Sequence, residues 1–528
     1  MRTACWNTAA TDTEAIRRRS LQTGCMRRRM IPSLGVRGGE TWILSNGANQ
    51  QNWVRTLVGL SRLTGQSAYE QAAFKALEYM FGQARYGDMF SWGGHMAIDL
   101  NTKRSVFASD KGPQHELKCH YPCYDVMAEV NLEETRKYVE AVWDGHVANW
   151  ANLEFNRHGQ PKPPREGLSV WDREYAAEDV FFTGKGLTFI NAGSDLYYAA
   201  AMLHRLTGDA KPLEWAKRLA RRYVETRNPQ TGLGGYQFSI SVLPGIRGDR
   251  AIDQFGEQLK KHSPIEATLS VVRQIHTIIG ESALCRMALA DQLGEAGKEF
   301  GEWAVQDLLA YGEYAYDAAD NTIHPMLTDG TRLTGLVMEK SGYYGKQGDT
   351  LKAAAADLLL LWSFAAGYRL SRNERLWDIA RAIARGNGLG DIGSAPTARG
   401  GAESAGLSQT GSGADLNSGT ECADPHGIFA MLELHRITRN AAYLHLAERI
   451  GRNIVAQRYH HGFFMPSERH VYAKFDRLEP VALLHLAAEL DGTGETQPIY
   501  CGGKSFFGAA FDGHGHEIDN DFIYGQTR

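Results

Sequence analysis

The sequence is short of the features that usually make a function easy to read. Its net charge is only -4 across 528 residues, so no global basic field points to nucleic acid, and a cationic groove for an acidic ligand has to be local. Seven cysteines (Cys5, Cys25, Cys119, Cys123, Cys285, Cys422 and Cys501) are odd in number and widely scattered. They sit in a chain too large to need disulfide staples, which makes a reducing compartment the simpler expectation. The first thirty residues hold Arg17-Arg18-Arg19 and Arg27-Arg28-Arg29 but no apolar run as long as a signal peptide or a membrane span requires. A twin-arginine export signal would show paired arginines too, but its hydrophobic segment is missing. Residues 1–41 therefore read as a disordered basic leader, with Met26 and Met30 as alternative starts, and the cytoplasm is the expected location. No GxGxxG, Walker, GxSxG or HExxH pattern occurs in a suitable context, which removes dinucleotide, nucleotide and common hydrolase readings.

What is present is an ordinary globular composition, 43% hydrophobic and 22% charged, able to bury a large core. Helical periodicity begins at Asn49. Trp53, Leu57, Leu60 and Leu63 recur at three and four residues, Thr64-Gly65-Gln66 interrupts, and Tyr69, Phe74, Leu77 and Met80 resume, the pattern of a helix, a tight turn and a helix. The same signature returns around Thr207-Gly208-Asp209 and Thr438-Arg439-Asn440, with a degenerate copy at Ser371-Arg372-Asn373. One hairpin cannot bury its apolar face alone, so repeated hairpins with unequal insertions predict an all-α, closed (α/α) toroid over residues 42–490. Between Gly386 and Gly419 stand ten glycines, too many for a helix interior and expected to form a long loop. Residues 491–528 lack periodicity and are expected to form an irregular tail. Within the toroid, Leu132 to Asn152 reads as a helix capped by Asn131, with Val139, Val142, Trp143, Val147 and Trp150 as its buried stripe.

The stretch from Trp92 to His158 carries the densest chemistry. His95, Glu116 and His158 supply two imidazoles and a carboxylate, a set that suits Mn, Fe, Co, Ni or Zn better than Ca, and Arg157 stands beside the last. The bland alternative is that Arg157 caps helix carbonyls and His158 is a satisfied polar residue. Glu116 is expected in a short helical segment opened by Pro113. A zinc site built from His115, Cys119, His120 and Cys123 competes for the same stretch but lacks the second half that makes such sites specific, and Cys119 and Cys123 read better as packing on a helix face. His146 lies on an apolar stripe and reads as a packed core histidine. The segments Phe182 to Leu187 and Glu339 to Lys346 combine glycine, lysine and tyrosine, as loops that approach an anionic sugar do, or as solvated surface loops. Asp172, Glu174, Glu178, Asp195 and Asp424 are available as paired carboxylates if the toroid is a glycoside hydrolase.

As a set, Trp92-Gly93-Gly94-His95, His115-Glu116-Leu117-Lys118, Asn156-Arg157-His158-Gly159 and, more weakly, Ser341 to Lys346 resemble polysaccharide lyase family 2, the bacterial pectate lyases. The similarity runs from about Trp42 to Asp491. The resemblance implies an (α/α)7 barrel and a divalent transition metal, most favourably Mn, with Ni, Co or Fe as alternatives. Carried onto this sequence, the metal ligands are His95, Glu116 and His158, the catalytic base is Arg157, and Lys185, Lys340, Tyr343, Tyr344 and Lys346 are substrate-binding candidates. The implied activity is β-elimination on polygalacturonate or oligogalacturonates, an acidic glycan partner, with no role for nucleic acid or membrane. Members of the resembled family also work in the periplasm. The rival readings are a toroidal hydrolase of uronide oligosaccharides and a non-catalytic carbohydrate-binding protein. The glycine-rich loop and the tail beyond 491 have no counterpart in the family pattern.

Overall fold

In a computed structural model, the described residues are 40–107, 112–163, 169–241, 275–339, 341, 346–396, 413–470 and 472–504, with short strand segments inside 24–37, 269–271 and 517–524. Twelve α-helices are described: α1 (Gln51–Thr64), α2 (Ser67–Gly82), α3 (Tyr124–His146), α4 (Ile190–Thr207), α5 (Ala210–Glu225), α6 (Ile275–Leu293), α7 (Lys298–Tyr314), α8 (Leu358–Ser371), α9 (Glu374–Gly386), α10 (Pro425–Thr438), α11 (Ala441–Arg458) and α12 (Glu479–Leu490).

Four of the five hairpin turns share one mechanism, and the fifth, between α6 and α7, runs through a 3-10 turn at Gly294–Gly297. A residue in the left-handed region ends the first helix, and in three of those four turns an Asx side chain caps the second. Gly208 (φ 76°) returns its N–H to His204 O, and Asp209 accepts from Lys211 N. At Arg372 (φ 58°) followed by Asn373, and at Arg439 (φ 55°) followed by Asn440, arginine takes the position that glycine holds at Gly65 and Gly208. The Asx cap replaces an unsatisfied amide contact and makes the reversal specific.

Each hairpin packs its first helix on the first helix of the next, α4 on α6, α6 on α8, α8 on α10 and α10 on α12, and α12 packs on α1 to close a ring. Helix α3 supplies the missing step. Asn131 breaks it with extended dihedrals (φ -159°, ψ 98°), and its side chain accepts from Glu134 N at 3.0 Å. The segment before the break packs beside α4, with Tyr124 against Tyr198, and reaches α1 through Arg62–Glu129 at 2.8 Å. The segment after it stands outside, linked through Trp143, Trp150 and Trp215 to α5. Seven inner helices thus close an (α/α) toroid among the described residues. Inner helices are buried around their circumference, as α4 is from Ile190 to Leu203, whereas the outer α5 and α9 bury one stripe, the difference expected between a helix inside two layers and one facing water.

Short turns gather at one end of the toroid and long connections at the other, where the inner helices begin. That second end carries the candidate site. At the first end, a cavity of about 1220 Å³ is lined by Trp362, Phe429, Tyr500 and charged rim residues, and contains none of the candidate ligands.

Several expectations change. The helix after Asn131 stops at His146, because Val147–Asn149 turns into a strand that pairs with Glu154–Phe155. Glu116 lies on a strand, not a short helix, and Cys119 (φ 55°) and Tyr121 (φ 45°) are left-handed loop residues, so Cys119 and Cys123 share no helix face. Within the stretch read as a disordered leader, β1 (Gly24–Met26) pairs antiparallel with Tyr472–Lys474. Part of the glycine-rich segment is ordered by pairing of Gly390–Asp391 with Asp415–Leu416, and the rest of it, 397–412, lies outside the described residues.

Candidate metal centre

Three backbone segments meet where the long connections converge. Strand β2 (His115–Glu116) pairs antiparallel with β3 (His158–Gly159), with Glu116 directly opposite His158 and His115 opposite Gly159. Directly opposed residues project to the same face, and successive residues to opposite faces. Glu116 and His158 therefore share one side, while His115 points away into the core. The third segment, Trp92 to His95, crosses above. Glu116 N donates to Trp92 O at 3.3 Å, and Gly94 N donates to Glu116 Oε2 at 3.4 Å. The crossing requires glycine at 93. Its φ is 87°, and a Cβ there would lie 2.6 Å from the Cβ of Glu116. Buried Asn46 holds the crossing from below by donating Nδ2 to Gly93 O and to Met96 O, at 2.5 and 2.7 Å. Trp92, fully buried, donates its indole N–H to His120 Nδ1 at 2.8 Å.

The result is a tight cluster. His95 Nε2 lies 3.3 Å from Glu116 Oε2, and His158 Nε2 lies 3.6 Å from Glu116 Oε1. The ligand atoms of the three residues all fall within 4.8 Å of one another, and this is the only such group of histidine, cysteine or acidic residues among the described residues. The zinc alternative built from His115, Cys119, His120 and Cys123 therefore has no convergent ligand set. Donors that each bind an ion at about 2.1 Å stand roughly 3.0–3.5 Å apart in tetrahedral or octahedral geometry, close to the spacing seen here. Glu116 Oε1 and His158 Nε2 are buried without a hydrogen-bond partner, a cost that a shared cation would remove. Two imidazole nitrogens and one carboxylate with no thiolate fit a borderline transition ion and leave coordination positions for substrate.

Electrostatics agree. Glu116 has no exposed surface; burial alone would raise its pKa, but His158, the Arg157 guanidinium and His95 outweigh it and hold the carboxyl well below its usual range. His158 is lowered, by burial first and by Arg157 next, with Glu116 opposing, so it presents a neutral nitrogen. Arg157, 6% exposed, brings Nη2 to 3.6 Å from Glu116 Oε1, and its main-chain oxygen accepts from Leu117 N at 3.2 Å.

The remaining candidates scatter. Lys185 is exposed on a loop pinned by Glu154, whose Oε1 accepts from Lys185 N and, at 2.6 Å, from Gly186 N. A parallel bridge between Asn156 and Leu187 sets that loop beside the segment carrying Arg157. Lys346 is exposed and donates its backbone N–H to Asp349 Oδ2 at 2.7 Å. Lys340, Tyr343 and Tyr344 lie outside the described residues. Among the possible hydrolase acids, Asp172 pairs with surface Lys211 at 2.6 Å, Glu178 accepts from Asn152 at 3.0 Å, and Asp424 caps α10. Asp195 is buried in α4 and accepts the amides of Lys118, His120 and Tyr121 at 2.8–2.9 Å; burial pushes it up to about 7 against those donors. It anchors the strap after Glu116. Sequence reasoning missed this role, and it missed the pairing of Lys504 with buried Glu281 at 2.9 Å. An aspartate in an otherwise apolar helix was the available signal for the first; nothing in the tail signalled the second.

Comparison with known proteins adds the lineage. Residues 33–510 match the family model described as "Periplasmic pectate lyase". A protein of Dickeya dadantii (strain 3937) named pectate disaccharide-lyase is 31% identical over 506 residues, spanning 91% of this chain and 87% of its own. Among solved structures, cellobiose 2-epimerase from Bacillus thermoamylovorans is similar with a TM-score of 0.40 and 10% identity, over 70% of this chain and 83% of that one. A GH76 alpha-mannanase from Bacteroides thetaiotaomicron gives 0.38 and 12%, over 70% and 82%. The family description overturns the cytoplasmic expectation. That expectation leaned on the lack of an apolar signal segment, with the scattered cysteines in support; Cys119, Cys123, Cys285 and Cys501 are buried, and thiols shielded in a core carry no information about compartment. With motif order, ligand geometry and a match across most of its length in agreement, the chain belongs to the periplasmic pectate lyase family.

Proposed function

We infer that this protein is a pectate lyase that cleaves polygalacturonate or oligogalacturonates by β-elimination, with His95, Glu116 and His158 holding a divalent transition metal, manganese foremost, and Arg157 as base. The convergence of those three side chains beside a buried guanidinium carries the reading. Held by His95, Glu116 and His158, a divalent ion would supply Lewis acidity toward the substrate's C6 carboxylate and so lower the pKa of C5–H. Arg157 then accepts the C5 proton, a role alkaline conditions favour because free arginine titrates above about 12. The electron pair left on C5 forms the C4–C5 double bond as the C4–O bond breaks, so the product is a 4,5-unsaturated uronide and no water is consumed. Lys185 and Lys346, with Lys340, Tyr343 and Tyr344, are the side chains we assign to uronate carboxylates and sugar faces. The inner helices also begin at this end of the toroid, and their positive N-terminal poles favour a polyanionic chain over a neutral one. The relative's name makes a disaccharide the expected product.

The test is incubation with polygalacturonate and Mn2+, with a chelator control, following absorbance of the unsaturated uronide and product length. No absorbance gain on any uronide removes the lyase reading. New reducing ends without unsaturation, indifferent to Arg157→Ala, select a hydrolase instead.

A further inference from the structure

Behind the ligand cluster runs a line of buried hydrogen bonds that the proposed chemistry does not use. His146 Nδ1 lies 2.7 Å from the main-chain oxygen of Asn156, His115 Nδ1 lies 2.9 Å from His146 Nε2, and the Tyr138 hydroxyl lies 2.9 Å from His115 Nε2. None of the three side chains is more than 1% exposed.

The line has a fixed anchor at one end. The Asn156 carbonyl only accepts, so His146 donates from Nδ1. The next bond joins the two imidazoles, and the Tyr138 hydroxyl closes the far end. The ends of the line are informative: His115 immediately precedes Glu116, and Asn156 immediately precedes Arg157 and His158. Asn156 N also donates to His146 O at 3.0 Å. The contact is close enough that a Cβ on Gly159 would come within 2.5 Å of the His146 ring.

We propose that His115 and His146 are positioning residues, a buried two-imidazole strap whose hydrogen bonds tie the main chain carrying Arg157 and His158 to the strand carrying Glu116. The inference rests on the metal-centre reading above. The strap suits that site because it fixes two ligands and the base in mutual register. Residues that orient metal ligands from behind are commonly worth about 10–100-fold in affinity or activity.

Two measurements test it. In wild-type protein labelled with 15N-histidine, NMR is expected to show a proton on His146 Nδ1; an Nδ1 without one overturns the strap, whatever the protein binds. In the metal-free full chain, Mn2+ affinity is then measured by calorimetry, with the fold checked by circular dichroism. His146→Gln, whose amide cannot reach Asn156 O, is expected to weaken Mn2+ binding by about 10–100-fold. His146→Asn keeps a donor for Asn156 O but loses the acceptor for His115 Nδ1, so it cuts the strap too and is expected to weaken Mn2+ binding by about 10–100-fold. Tyr138→Phe leaves both strap bonds in place and is expected to bind within about threefold of wild type; equal loss in all three variants overturns the strap, since plain packing would not distinguish them. Should one His146 variant misfold, unchanged Mn2+ affinity and unchanged kcat in the other overturn the proposal as well. Wild type that binds no Mn2+ overturns the metal centre and the strap's role in it, whereas wild-type binding with no loss in any variant overturns the strap alone.

Discussion

Glu116 and His158 are directly opposed partners in a two-residue antiparallel pairing, with Oε1 and Nε2 3.6 Å apart and neither atom hydrogen-bonded. The pairing converts residues far apart in the chain into a rigid pair of donors, and His95 completes the set from the crossing segment. Their chemistry is therefore sensitive to changes that leave the toroid intact.

Replacing Glu116 by glutamine keeps the shape and removes the charge that draws a cation into a buried site. Mn2+ affinity is expected to fall by about 100-fold or more, beyond the range typical of supporting residues, with the helical circular dichroism spectrum unchanged. Calorimetry on the variant checks this; wild-type affinity would remove Glu116 from the ligand set.

Arg157→Ala separates base from ligand. Turnover on polygalacturonate is expected to drop by about 100- to 10,000-fold, the usual reach of a positioned proton acceptor, while Mn2+ affinity holds or rises because a neighbouring cation has gone. Arg157→Lys should not restore turnover, since a shorter point charge does not reproduce the guanidinium geometry. Steady-state kinetics beside metal titration decides between the roles.

Gly93→Ala places a methyl group against Glu116 in a left-handed backbone conformation. The expected loss is about 1–2 kcal/mol of stability from the dihedral alone, together with weaker Mn2+ binding as the strand beneath shifts. Urea denaturation and metal titration of the same preparation report both effects.

Acid should destabilise the metal-free protein in two windows. His120 and His146 titrate at about 3, and His485 at about 4, all because of burial, whereas unfolded histidine titrates near 6.5. The unfolded state binds more protons between those values, so the stability of the neutral rings is present above about pH 6.5 and is lost as pH falls toward 3. Glu116, depressed in the fold, contributes stability present above about pH 4.3 that is lost as pH falls further. Chemical denaturation of chelator-treated protein from pH 8 to 4 is expected to show stability declining from about pH 6.5 downward; a flat profile would show that these imidazoles are not buried neutral.

Helices and turns were legible because their signals are local. The spacing of Trp53, Leu57 and Leu60, and the Thr-Gly-Asp and Thr-Arg-Asn turns, act through neighbours three or four residues away, which periodicity reports directly. The break at Asn131 was visible as a cap, but its consequence, one inner and one outer segment from a single run, depends on packing against α4 and α5. Glu116 was misread as helical because Pro113 is a good helix opener, and strand pairing with His158 is a long-range choice that overrides local preference.

By itself, the sequence determined the helical hairpins and their turns, and its motifs named two imidazoles, a carboxylate and a guanidinium as the chemistry. Tertiary structure alone decided that His95, Glu116 and His158 share one face while His115 turns inward, that Asp195 grips the strap after Glu116, and that Lys504 from the tail meets Glu281. The reason is physical: helix and turn energies are set within a few residues, whereas register between distant strands, and the burial that shifts a titrating group, exist only once the ring has closed.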